Sequence, residues 1–136
     1  MNQINLNAVA SSVQMFNSPN YPNDYDNNLD CVWIITAPYG CRVKVTFTDF
    51  STEFNADYVL VKDGGSATST VVAFLFGRYT VQIMLTSTGT QMWIQFHSNG
   101  GVTFPGFKAN YKAICPTTPP PTPAPEPTPA PPTGKS

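Results

Sequence analysis

Residues 31–47 read CVWIITAPYGCRVKVTF, and this stretch decides the fold class. Every second residue from 43 to 47 is apolar, and this alternation is typical of a strand with one buried face. The first half, 32–37, is mostly β-branched or aromatic and contains Trp33, which we expect in the core. Residues 38–40 (Pro-Tyr-Gly) favour a turn, so the stretch predicts a hairpin.

Further strands are predicted along the rest of the chain. Apolar or alternating runs of strand length cover 57–63, 70–76, 81–85, 91–97 and 107–114, each next to Gly, Asn, Ser or Thr turn residues. Residues 1–16 are interpreted as a leader and a first edge strand, and residues 18–28 as a long turn. No segment has a 3.6-residue period long enough for a helix. The sequence therefore predicts an all-β sandwich or jelly roll.

The composition changes after Cys115. Residues 116–136 contain no large apolar side chain and ten of the fourteen prolines. We therefore predict a globular domain over 1–115 and a polyproline II-type stalk or linker over 116–136. Threonines among prolines are possible O-glycosylation sites of a mucin-like stalk, namely Thr117, Thr118, Thr122, Thr128 and Thr133. A plain inter-domain spacer is the alternative.

Charge and residue content exclude several function classes. The net charge is −1 and the sequence has no basic stripe, which argues against a nucleic-acid partner. No apolar run reaches the ~18 residues that a membrane span needs. No signal peptide is recognisable, so we expect any secretory signal to have been removed or to lie outside this sequence. The sequence has a single histidine, which is too few for a zinc site or a credible catalytic triad, so it predicts neither a zinc site nor an enzyme.

The order of several motifs resembles that of a CUB domain. They are SPNYPNDY (18–25), CVWIITAP (31–38), VKVTFTDFSTE (43–53), DYVLVKDG (57–64), STGTQMWIQFHSN (87–99) and PGFKANY (105–111). The resemblance covers nearly all of residues 12–114. It implies a jelly-roll sandwich of two mainly antiparallel sheets, an extracellular or secreted location, and a role in binding.

The three cysteines depart from the usual CUB pattern of two disulfides. Cys31 and Cys41 lie at opposite ends of the predicted hairpin, ~15–20 Å apart, whereas a bridge requires less than ~7 Å between Cα atoms. The resemblance implies that the last strand runs beside the Trp33 strand, which predicts a Cys31–Cys115 disulfide. Cys41 is then unpaired, either as a small buried residue or in an inter-chain bond. Phe76 stands where the resemblance would place a cysteine of the second bridge.

The resemblance also implies a Ca²⁺ site at one end of the sandwich. The matching positions are Glu53, Asp57 and Asn99, with Tyr25 supporting the site. Asn99 replaces a third carboxylate; an amide oxygen can bind Ca²⁺, but the lost charge weakens affinity. The alternative is that Glu53 and Asp57 are solvated loop acids, or that Asp57 caps a turn.

Trp93 and His97 lie on the face of their strand opposite Met92 and Ile94, and this face should look outward. Trp93 is therefore a candidate partner-binding anchor, unless a loop or the N-terminal segment covers it. His97 is expected to be a surface residue on the same partner-binding face.

Two functions remain open. The first is a non-catalytic extracellular recognition or adhesion module that binds a protein or glycan partner through loops at one end. The second is a structural subunit of a self-assembling extracellular fibre or coat, in which copies meet through the Pro-rich tail and Cys41. A regulatory domain clipped from a secreted protease is a more distant third.

Overall fold

The structure, a computed structural model, describes residues 2–116, and within them it contains ten strands and no helix. The strands are β1 (Asn2–Asn7), β2 (Gln14–Asn17), β3 (Asp30–Thr36), β4 (Arg42–Ser51), β5 (Tyr58–Asp63), β6 (Thr70–Leu75), β7 (Arg78–Tyr79), β8 (Ile83–Thr86), β9 (Gln91–His97) and β10 (Gly106–Ile114). Accordingly, this range has no helix long and apolar enough to cross a membrane.

The strands form two five-stranded sheets that pack face to face. The first sheet has the order β1-β3-β9-β5-β6, and the second has β2-β10-β4-β7 with β8 also paired to β4. All pairs are antiparallel except β1 with β3. The predicted jelly-roll sandwich of mainly antiparallel sheets is confirmed.

Side-chain alternation places the core between the sheets, as predicted. Met92, Ile94 and Phe96 of β9 are completely buried. On β10, every second residue from Phe107 to Ala113 is buried as well. Each strand therefore contributes one apolar face to the core, and its other face looks outward.

An aromatic cluster fills the centre of this core. The ring centroid of Phe107 lies 5.5–6.3 Å from those of five other aromatic residues, which come from both sheets: Phe16, Trp33, Phe47, Phe50 and Phe96. Most of these pairs are edge-to-face, a geometry that stabilises beyond area burial alone. The predicted core position of Trp33 is confirmed, because only 4% of it is exposed.

The predicted hairpin of residues 31–47 is wrong. The strands are present, but β3 pairs with β1 and β9 in the first sheet, whereas β4 pairs with β10 in the second. The turn after Pro38, closed by a hydrogen bond from the Cys41 N–H to the Pro38 carbonyl at 2.9 Å, carries the chain between sheets. Gly40 supplies the positive φ of +84° that this turn requires. The same local pattern suits two strands that pair in a hairpin and two strands that enter different sheets, so the pattern could not distinguish these arrangements.

The predicted Cys31–Cys115 disulfide is also wrong, and Cys41 is not available for an inter-chain bond. The structure joins Cys41 to Cys115, with the Cα atoms 4.3 Å apart, and leaves Cys31 as a buried free thiol. The last strand runs beside β4, and its Ile114 is in register with Arg42. The residues just beyond that pair, Cys41 and Cys115, are therefore adjacent.

Strand β6 is not the buried strand that its apolar run predicts. It forms an edge of the first sheet, and Val71, Val72 and Phe74 are each about half exposed. The N-terminal segment also differs from prediction, because it provides two strands, β1 and β2, that belong to different sheets. A continuous apolar run indicates a strand but does not show which neighbours will cover it.

Candidate functional site

Three loops meet at one end of the sandwich and bring the four predicted metal-site residues together. Tyr25 lies between β2 and β3, Glu53 and Asp57 lie between β4 and β5, and Asn99 follows β9. The Tyr25 hydroxyl donates to Oδ2 of Asp57 at 2.6 Å, and the Asn99 N–H donates to Oδ1 at 2.8 Å. Asp57 is fully buried, so these bonds compensate a carboxylate that has left water. The interpretation of Asp57 as a solvated acid is therefore wrong.

A tight turn holds Glu53 and Asp57 close to each other. The Asp57 N–H donates to the Glu53 carbonyl at 3.1 Å, and Asn55 adopts a φ of +62°, which Asn tolerates. The Thr52 hydroxyl donates to the Asp57 carbonyl at 2.9 Å and accepts the Gly77 N–H at 2.9 Å. The turn is thus fixed to the neighbouring loop, and both acids have defined positions.

The Glu53 carboxylate is the unusual group of this end. Its Oε1 atom is buried and has no hydrogen-bond partner within the described residues. A Cβ atom placed on Gly101 would lie 3.2 Å from Glu53 Oε1 and 3.2 Å from Asn99 Oδ1, so both oxygens border the same small space. Both are hydrogen-bond acceptors, although Asn99 Oδ1 already receives the Gly101 N–H at 2.8 Å. An acceptor that is buried without a donor favours a bound cation.

Tyr25 acts as a permanent hydrogen-bond donor at this end. Burial, and then the hydrogen bond to Asp57, raise the pKa of the Tyr25 hydroxyl far above its ordinary value. The phenol therefore stays protonated, donates to Asp57, and accepts the Glu53 N–H at 3.1 Å. It connects the two acidic residues of the neighbouring loop.

The donor set fits a hard cation that prefers oxygen. Two carboxylates and one amide oxygen are present at this end. Residues 2–116 contain no group of three His, Cys, Asp or Glu side chains arranged for a metal, so the third protein ligand of an ion here would be the amide oxygen of Asn99. Ca²⁺ binds six to eight oxygens and accepts carbonyl oxygens and water beside carboxylates. Glu53, Asp57 and Asn99 would hold the ion, with a lower affinity than three carboxylates would give.

Comparison with known proteins decides the family. The sequence profile of the CUB domain matches residues 6–111, most of the chain. The chain belongs to the CUB domain family. The predicted resemblance is therefore confirmed.

Other CUB-containing proteins show the same relationship. This CUB domain is 34% identical to mouse (Mus musculus) tolloid-like protein 2 over 107 residues, which cover 76% of the chain and 10% of that protein. The full extracellular region of zebrafish Gpr126/Adgrg6 matches with a TM-score of 0.72 at 36% identity, covering 83% of this chain and 15% of that one. The MASP-1 CUB2 domain, solved bound to Ca²⁺, matches with a TM-score of 0.65, covering 82% and 96%. Its 22% identity shows the shared fold alone.

These matches establish a general class of function. CUB domains are non-catalytic interaction modules of extracellular proteins. The chain spans only about a tenth of the length of the mouse relative.

Trp93 of the CUB domain is not the exposed anchor that we predicted. Only 5% of it is exposed, although it lies on the outer side of β9. The Lys62 ammonium sits 4.6 Å from the centre of its ring and donates to the Ala67 carbonyl. The side chain of Lys62, the partner of Trp93 on the neighbouring strand β5, thus lies over the ring, and residues of the loop between β5 and β6 line the same recess.

His97 lies near the loop end and is only partly exposed. Its Nδ1 is 2.8 Å from Oδ1 of Asp30, and its ring stacks on Tyr58 with 5.1 Å between the ring centroids. A partner role for His97 stays a prediction. The predicted O-glycosylation sites, from Thr117 to Thr133, lie outside the described residues.

Two hydroxyl residues of the site were missed at the sequence level. Thr52 directly follows β4 and Ser98 directly follows β9, and both are buried. The Ser98 hydroxyl donates to the Asp26 carbonyl at 2.7 Å and accepts the Leu29 N–H at 2.9 Å, which joins two loops. A Ser or Thr immediately after a strand is a signal for such side chain-to-backbone bonding.

Proposed function

We propose that this CUB domain is an extracellular recognition module that binds a basic protein partner through its loop end, with Ca²⁺ bound there. The observation that carries the proposal is the buried, unpartnered Oε1 of Glu53 beside the Asn99 amide oxygen. Leaving a charged oxygen buried without a partner costs free energy, and a cation would remove that cost. When bound, Ca²⁺ would supply a cross-link between the loops that carry Glu53, Asp57 and Asn99.

The distribution of charge supports a basic partner. Five of the eight acidic residues surround this end: Asp24, Asp26, Asp30, Glu53 and Asp57. A cluster of acids attracts cationic side chains and speeds association with them. A lysine or arginine of the partner would contact the exposed acids, and the rigid turn at Glu53 and Asp57 would limit the entropy lost on binding.

Calcium is expected to stabilise the domain. At a Ca²⁺ concentration about ten times the dissociation constant, the free energy of unfolding rises by about 1.4 kcal/mol, which raises the melting temperature by about 4–8 °C. Ca²⁺ sites in extracellular modules have dissociation constants of about 0.1–1 mM. Isothermal titration calorimetry and thermal melting in millimolar Ca²⁺ measure both quantities.

The variant Glu53→Gln should abolish the calcium response, since it keeps the side-chain shape and removes the charge. Glu126→Gln, which makes the same change in the Pro-rich tail, is the matched control and should respond like the native chain. Absence of heat on titration, together with an unchanged melting temperature in millimolar Ca²⁺, would remove the calcium site. The site would also be lost if Glu53→Gln bound Ca²⁺ as well as the control does.

Self-assembly as a structural subunit is the second candidate, favoured by one observation. The edge strand β6 exposes about half of Val71, Val72 and Phe74, and residues 64–77 carry no charge that would repel another copy. If this function applies, sedimentation velocity will reveal dimers that increase with concentration and are reduced by Phe74→Lys. A monomer at every concentration argues for the recognition module alone.

A further inference from the structure

The outer face of the second sheet gathers most of the positive charge of the molecule. Outward positions on β4, β7 and β10 carry five cations, which we call the basic face: Arg42, Lys44, Arg78, Lys108 and Lys112. Of the six Lys and Arg in residues 2–116, only Lys62 lies elsewhere, over Trp93 on the first sheet.

Negative charge is nearly absent from this face. Within the described range, Asp49 is its one acid; it is in register with Lys108 on β10, and the Tyr21 hydroxyl donates to it. Most other acids surround the loop end. The expectation that the chain has no basic stripe holds for the linear sequence but is wrong for the folded domain, because pairing of β4 with β10 joins cations far apart in sequence.

One cross-strand pair within the basic face brings two positive charges opposite each other. Lys44 and Lys112 are directly opposite each other in the register of β4 and β10. Like charges in this position destabilise a sheet. None of the five cations forms a salt bridge with a described residue; the ion pair found in that range joins His97 to Asp30. An anion between the two lysines would turn this repulsion into attraction.

The shape of the face suits an extended ligand. The five cations are spread along the length of β4, which spans about 30 Å at ~3.3 Å per residue. A shallow recess of about 280 Å³ is lined by Lys44 and Lys112, by the polar residues Thr46, Gln82 and Asn110, and by Val13, Met84 and Tyr111. Hydroxyl and amide groups therefore stand between cations and can bond to sulfate and hydroxyl oxygens.

We propose that the basic face binds a linear sulfated polysaccharide. The inference goes beyond the proposed function, because it uses a different surface and needs no Ca²⁺. Regularly spaced sulfates would pair with the row of cations, and an extracellular module would meet such polymers. A nucleic acid would call for exposed aromatic side chains among the cations to stack on bases, whereas Thr46, Thr48 and Asn110 occupy these positions.

The test is binding of the full chain to size-fractionated heparin. The logarithm of the affinity should fall with the logarithm of salt concentration with a slope of about −3 to −4, as expected for four to five released counterions. Lys44→Gln combined with Lys112→Gln should weaken binding about 25-fold, since each cation near an anionic ligand contributes about fivefold. Lys62→Gln alone removes one positive charge away from this face and should retain most of the affinity, whereas Lys44→Gln alone, the matched single change within the face, should weaken binding about fivefold.

The melting temperature of the double variant, measured without heparin, shows whether that variant is folded. Because the lysine pair is repulsive, Lys44→Gln with Lys112→Gln should melt at the same temperature as the native chain or above it, without heparin. A lower melting temperature would contradict the premise that these lysines repel each other. Heparin affinity that is equal in calcium and in chelator supports the proposal and separates it from the loop-end site.

Three results would overturn the proposal. The first is a loss of heparin binding in Lys62→Gln equal to that in Lys44→Gln, which would mean diffuse charge attraction. The second is binding to single-stranded DNA or to phosphatidylserine vesicles as tight as to heparin, which would assign the face to another anionic polymer or to a membrane surface. The third is unchanged affinity for desulfated heparin, which would exclude recognition of sulfate.

Discussion

Replacing Cys41 and Cys115 together by alanine is expected to lower the free energy of unfolding by about 4 kcal/mol. The two residues are separated by 74 positions, so their bridge closes a long loop and reduces the entropy of the unfolded chain. Chemical denaturation of the oxidised native chain and of the double variant measures this difference. The loss is comparable to the whole stability of many small domains, so the variant will be partly unfolded at physiological temperature.

Cys31→Ala is the matched control for the disulfide. Cys31 is buried and unpaired, so its replacement removes only local packing and should cost about 1 kcal/mol. Burial raises the pKa of the Cys31 thiol, so a thiol reagent should modify it only after unfolding. Peptide mapping without reductant should recover a Cys41–Cys115 peptide. Recovery of Cys31 in a disulfide with either of the others would contradict the fold described here.

Phe107→Ala is expected to cost about 3–5 kcal/mol of stability, because it removes the ring at the centre of the aromatic cluster. Phe107 is completely buried and contacts rings from both sheets, so the surrounding side chains cannot close the cavity easily. Urea denaturation followed by tryptophan fluorescence reports the loss, since Trp33, one of the two tryptophans, packs directly against Phe107.

Phe74→Ala provides the comparison for Phe107→Ala. Phe74 is about half exposed at the edge strand, so the same change in chemistry should cost no more than about 1 kcal/mol. Equal costs for the two variants would show that burial does not determine their energies, contrary to the core assignment. Phe107→Leu should fall between them, since leucine fills part of the cavity.

The folded CUB domain separates its charges onto two surfaces. Acids surround the loop end with Glu53 and Asp57, whereas the basic face covers the outside of the second sheet. A net charge of −1 therefore conceals two regions of opposite sign. A basic protein partner and an acidic polysaccharide could bind at the same time, because the two surfaces use different residues.

Much of the fold followed from local patterns. Alternation in residues 43–47, 91–97 and 107–114 predicted strands and their inward faces, and the residues at these inward positions are buried. The order of motifs predicted the family and brought Tyr25, Glu53, Asp57 and Asn99 forward as one site. The strand and family predictions are confirmed, because a strand must alternate to bury one face and a motif preserves the local geometry of its loop, whereas the metal role of these four residues stays a prediction.

Burial was predicted less well where a neighbouring segment decides it. Trp93 faces outward as its position in the strand predicts, yet it is buried, and the side chain of Lys62 on the neighbouring strand β5 lies over its ring. The apolar strand β6 stands at an edge and is half exposed. Period and composition describe a strand, but coverage depends on loops and strands elsewhere in the chain.

The sequence by itself determined that this chain forms strands and which side of most strands is apolar. The tertiary structure alone decided that β3 and β4 enter different sheets, that Cys41 bonds Cys115, and that Lys44 meets Lys112. The physical reason is that alternation is a property of neighbouring residues, whereas these three results depend on which distant strand pairs with β4. That choice is made by packing of the whole core.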